Sequence, residues 1–105
     1  MTDFYKNPPR TKEDIRNYLI SWLQKVDNKD KFSVIVQGEI FVLELEFRRA
    51  SHSHGVFRSL STNKYVWWVF ETIDTDKFPN QRFDTYESLL ENVINDYYIL
   101  WKLNE

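Results

Sequence analysis

Cysteine is absent from this chain of 105 residues, and glycine, proline and methionine are scarce, with two, three and one copies. Without a thiol there is no disulfide framework, no thiolate nucleophile and no cysteine-ligated metal, and a reducing cytoplasm is the simplest setting. Two glycines cannot build a glycine-rich phosphate loop, and no serine stands in a nucleophile-elbow context. An excess of either charge is missing as well. The 14 basic and 16 acidic side chains leave a formal charge of −2, so no global field draws the chain to polyanions or to an anionic membrane. Long hydrophobic runs are also lacking. The longest, Tyr65 to Phe70, is far too short to span a bilayer, and Met1 to Arg10 mix acid, base and two prolines where a secretion signal would carry an apolar core.

Against these absences stands an aromatic content of 17%, enough to fill a core with few residues. No interior linker separates two cores, so residues 1–10 read as an arm and residues 11–105 as one α+β domain. The abundance of Lys, Asn, Asp, Ile, Phe and Tyr points weakly to an AT-rich genome, bacterial or phage.

The order of elements follows from periodicity. Thr11 offers a helix cap with Asp14 three residues on, and Ile15, Tyr18, Leu19, Trp22, Leu23 and Val26 repeat at helical spacing, which predicts a helix of about four turns. The polar stretch Asp27 to Asp30 ends it. Phe32 to Gln37 then reads as a strand, with Gly38-Glu39 as a tight turn needing positive φ. From Ile40 to Arg49 the alternation places Phe41, Leu43, Leu45 and Phe47 on one side and Val42, Glu44, Glu46 and Arg48 on the other. A second hairpin, Val56 to Leu60 and Lys64 to Ile73, turns at Ser61-Thr62-Asn63. Asp84 with Glu87 caps a last helix, whose stripe runs from Tyr86 through Leu89, Leu90, Val93, Ile94 and Tyr97 to Leu100 and Trp101. The expected fold is therefore α-β-β-β-β-α, a two-layer sandwich in which both helices cover one face of a four-stranded antiparallel meander. That order occurs in unrelated small folds and transfers no function by itself.

Function has to be read from surfaces. With Thr62-Asn63 as the turn, Phe57, Val66, Trp68 and Phe70 join the core face, while Val56, Arg58, Leu60, Tyr65, Trp67 and Val69 fall on the outer face. An outer face holding a Trp, a Tyr and several aliphatics beside charge reads as a protein-binding or self-association surface, with Tyr65, Trp67, Val69, Arg58 and Leu60 as partner-binding residues. The ordinary alternative has Arg and Glu stems covering the aromatics, or the arm at Phe4-Tyr5 folding over them. The same aromatics would also serve a single-stranded nucleic-acid binder, with Arg48, Arg49, Arg58 and Lys64 along the phosphates, although Glu44, Glu46 and Glu71 oppose this. His52 and His54 are spaced for two imidazole ligands, which define no metal site unless folding brings up Glu46 or Asp76 as a third; a metal-dependent activity at this loop is the third reading, neither metal nor cofactor is expected, and an enzyme is the weakest class. The acids Glu87, Glu91 and Asp96, with Asp74 and Asp76, form a loose acidic edge whose sharper reading is docking to a basic partner.

If Trp68 faces the main core, Trp68→Ala costs about 3–5 kcal/mol through the cavity it leaves. A loss below about 1 kcal/mol in chemical denaturation would invert the register of this strand.

Overall fold

The computed structural model describes residues 11–26, 32–48 and 53–103. The arm at residues 1–10 and the turn around Asp27 to Asp30 lie outside them, as do Arg49 and His52. The elements run α1 (Lys12–Trp22), β1 (Leu23–Lys25), β2 (Ser33–Val36), β3 (Glu39–Phe47), β4 (Gly55–Ser59), β5 (Tyr65–Trp67), a 3-10 turn (Thr75–Lys77) and α2 (Tyr86–Leu103). The chain is α+β with two helices and one antiparallel sheet of five strands. No helix among the described residues is long and apolar enough to cross a membrane.

Both helix starts are set by hydroxyl caps. Thr11 Oγ1 accepts from the Asp14 amide while the Asp14 carboxylate accepts from the Thr11 amide, a reciprocal capping box. At α2 the cap is Thr85 rather than Asp84, its Oγ1 accepting from the Ser88 amide at 3.1 Å. The first helix ends a turn before its apolar period does. Leu23, Gln24 and Lys25 pair with Phe47, Glu46 and Leu45, and the Arg48 amide donates to the Trp22 carbonyl. Strand pairing satisfies backbone groups on this side of β3 that another helical turn would leave unpaired.

The outer neighbour of β3 is thus two short strands in series, β1 along its last residues and β2 along its first. The hairpin β2–β3 turns on Gln37 and Gly38 (φ 52° and 80°), one residue earlier than Gly38-Glu39, because a two-residue turn with both φ positive matches the twist of the strands. On the other side, β3 pairs with β4 and β4 with β5.

A single bulge decides the packing. Leu43 faces Phe57 and Leu45 faces Val56, so two steps on β3 match one step on β4 and Glu44 is the extra residue. Phe41 and Leu43 therefore point to one face of the sheet, and Leu45 and Phe47 to the other. Two cores result. The first gathers Ile15 and Leu19 of α1, Leu89, Leu90, Val93 and Ile94 of α2, and Phe47 and Val56 of the sheet. The second gathers Val34, Phe41, Leu43, Phe57, Val66 and Trp68 with Phe78. Trp68 is buried as its alternation requires, yet in the second core, on the side away from the helices.

The sandwich with one bare face is corrected accordingly. The 3-10 turn, capped by Asp74, lays Phe78 over the second core, with ring centroids 4.7 Å from Phe41 and 4.8 Å from Trp68. The chain then passes around the free side of β5, where Phe83 and Tyr65 exchange backbone hydrogen bonds of 2.8 and 2.9 Å, and Phe83 packs against the first core.

Gly55 sits beside the bulge, and a Cβ there would lie 2.8 Å from the Leu45 carbonyl oxygen and 3.0 Å from the Phe47 backbone nitrogen. Neither backbone atom can swing aside. Gly55→Ala should lower the unfolding free energy by about 1–3 kcal/mol, measured in urea, with the spectrum of the folded state retained.

Candidate functional site

The face that alternation sets opposite Phe57 and Trp68 is the helix-side face, so its aromatics are under cover. Tyr65, Trp67 and Val69 are half-buried and pack against the first core, the Trp67 ring lying edge-on to Phe47 at 5.4 Å. The expectation that these three form an open surface is corrected by the bulge, which turns Leu45, Phe47 and the helices to their side.

The five residues expected to bind a partner are thus divided. Arg58 stands midway, its Nε 2.6 Å from Glu44 Oε1 and its Nη1 3.0 Å from Asn63 Oδ1. This ion pair is half-buried and links the bulge residue to β4. Two positions further on, just past the end of β4, Leu60 is exposed. Its amide donates to the Ile40 carbonyl at 3.0 Å, and Ile40 is the cross-strand partner of Ile35. Ile35, Ile40 and Leu60 consequently form one row over β2, β3 and the residue that follows β4, at 66, 41 and 51% exposure. Periodicity marked Leu60, and the alternation of Ile40 to Arg49 sets Ile40 on the side of Val42, but Ile35 lies in a short β-branched strand whose face the sequence left open.

Behind the row, on the second-core side, the hairpin ends are tied by polar contacts. Ser59 Oγ is fully buried and donates to Glu39 Oε2 at 2.5 Å. Arg82 lies over the Phe41 ring at 4.8 Å and donates to the Pro79 carbonyl at 2.6 Å. Of the cations considered for phosphate contact, the three among the described residues are engaged: Arg48 with Glu46, Arg58 with Glu44, and Lys64 with Asp84 at 3.6 Å.

His54 is not a loop ligand in solvent. Its ring stacks on Phe32 at 4.0 Å and lies 4.7 Å from Phe70, and its Nδ1 is buried with no hydrogen-bond partner among the described residues. Among those residues no group of three His, Asp or Glu side chains is placed to hold a metal. A separate cleft lies between α2 and residues 79–83, floored by Trp67.

The chain matches no family model, no curated protein and no solved structure.

Burial among aromatic rings pushes the His54 pKa below its ordinary value, against the opposing pull of Glu46. The unfolded chain then takes up this proton before the folded one, so stability is full above about pH 6.5 and falls as pH drops below it towards the folded pKa. His54→Asn, which tolerates the positive φ of 72° at this position, should lower stability near neutrality but flatten its slope between about pH 7 and 5. Urea midpoints across that range, measured on parent and variant, check the sign.

Proposed function

We propose that this chain is a small non-enzymatic domain that binds another protein surface, in a regulatory or accessory role. Its contact surface on this reading is the bare end of the helix-side face, Ile35, Ile40 and Leu60, bordered by the Arg58–Glu44 pair. The observation that carries the reading is the row itself. Single exposed aliphatics are ordinary on a soluble surface, whereas a cross-strand pair, Ile35 and Ile40, continued by Leu60 at the end of β4 makes an apolar strip that water gains nothing by wetting.

The strand edge beside the row supports it. In the β2–β3 ladder the backbone groups of Ser33 and Ile35 turn away from β3. The sequence Ser33-Val34-Ile35-Val36 carries no charge and no proline, the residue types that normally blunt an edge. A partner strand laid there would extend the sheet and cover the row in one step. Relative to the sequence expectation, the surface moves along the same face from the Tyr65, Trp67 and Val69 end to the Leu60 end.

The combined variant Ile35→Thr, Ile40→Thr, Leu60→Thr tests this, because exposed positions change stability little and threonine keeps the strand preference. Its thermal melt should stay close to the parent's. Self-association in sedimentation velocity, or recovery of protein partners in a quantitative pull-down, should fall sharply. A variant that assembles and captures partners as the parent does, or a parent that does neither, ends the proposal.

A further inference from the structure

The cleft between α2 and residues 79–83 is distinct from the apolar row. It encloses about 320 Å³ and is lined by Trp67, Phe83 and Tyr97 together with Gln81, Asn92 and Asp96. Three half-buried aromatic rings border it, and ring faces carry the negative side of a quadrupole that attracts cations. Asn92 and Asp96 stand four residues apart on one face of α2, so their amide and carboxylate rise on the same side of the opening. Asp96 makes no ion pair or hydrogen bond through its carboxylate among the described residues, and no Lys or Arg lines the cleft. The lining therefore offers one carboxylate, two side-chain amide oxygens and the aromatic side chains of Trp67 and Phe83.

We propose that this cleft receives an arginine side chain presented by a partner protein. The volume is at the small end for ligand sites, suited to a side chain rather than a nucleotide or flavin. Guanidinium matches the lining better than ammonium does. It is planar enough to lie against a ring, and its five N–H donors can reach a carboxylate and two amide oxygens at once. The same fold already seats one guanidinium in such surroundings. Arg82 lies over the Phe41 and Phe78 rings at 4.8 and 5.7 Å, with the Pro79 carbonyl as acceptor and Glu39 at 4.0 Å. Residues 79–83 thus separate two aromatic settings, one holding the chain's own arginine and the other bordering the cleft. The carrier being a protein rests on the binding reading above, but the guanidinium preference does not.

The test uses the full chain and two small probes, N-acetyl-arginine methylamide and its neutral isostere N-acetyl-citrulline methylamide, followed by amide and indole NMR signals. The arginine probe should move the Trp67 indole and the Asn92 and Gln81 side-chain amides to saturation. The citrulline probe should bind about tenfold more weakly, the size expected when a cation–π contact and an exposed ion pair are both lost. Asp96→Asn, at an exposed helix position, should bring the arginine affinity down towards the citrulline value while leaving the citrulline affinity unchanged. Equal affinities for the two probes, or movement confined to residues away from the cleft, would overturn the assignment. The Ile35/Ile40/Leu60 threonine variant should keep the arginine response in full, so failure of the apolar row and failure of the cleft are told apart.

Discussion

One extra residue in the central strand governs this domain. Strand pairing fixes which way every side chain points, and a strand of strict alternation can feed only one face. Glu44 breaks the alternation of β3 without breaking its pairing, so the first half of the strand serves one core and the second half the other. The extra residue is itself secured, its carboxylate held by Arg58 from the neighbouring strand and its carbonyl accepting from the Val26 amide. Gly55 gives the bulge room. The helices on one face and the Phe78 segment on the other both follow from that division.

The limits of the sequence reading trace to the same residue. Phe41, Leu43, Leu45 and Phe47 form an unbroken alternating set, and nothing in residue type distinguishes an intact strand from one with a residue inserted between Leu43 and Leu45. The Thr11 cap, the antiparallel sheet, the last helix and the burial of Trp68 were legible because each depends on local chemistry or simple periodicity. The face of Tyr65 and Trp67 was not, because it depends on register against a neighbour across a bulge. The end of α1 was missed for a related reason. Leu23 serves an apolar helix face and a strand equally well, and only the open side of β3 decides between them. Phe78 lies in a stretch with no period at all, so its closing role could be found only in three dimensions.

Covering both faces changes what remains available for contact. A sheet with one open face would present its aromatics directly. Here Trp67 and Phe83 keep a partly exposed border at the margin, where α2 meets residues 79–83, and the exposed aliphatic row of the sheet lies at the hairpin end beyond the Arg58–Glu44 pair. Half-buried ion pairs of this kind add little net stability, but they prefer one arrangement of neighbours over others. At this position the pair holds the border between packed and unpacked sheet.

Among the described residues the two cores have no side chain in common. Close packing makes each sensitive to volume, yet a change of volume in one has no neighbour in the other through which to be relieved. Distant sites without shared partners combine nearly additively, so the domain consists of two packing problems joined through the backbone of its central strands. Drift in sequence can rework the helix-side core, and with it the shape of the cleft, while the core beneath Phe78 stays as it is. A fold of this size thereby carries two cores that can be altered one at a time.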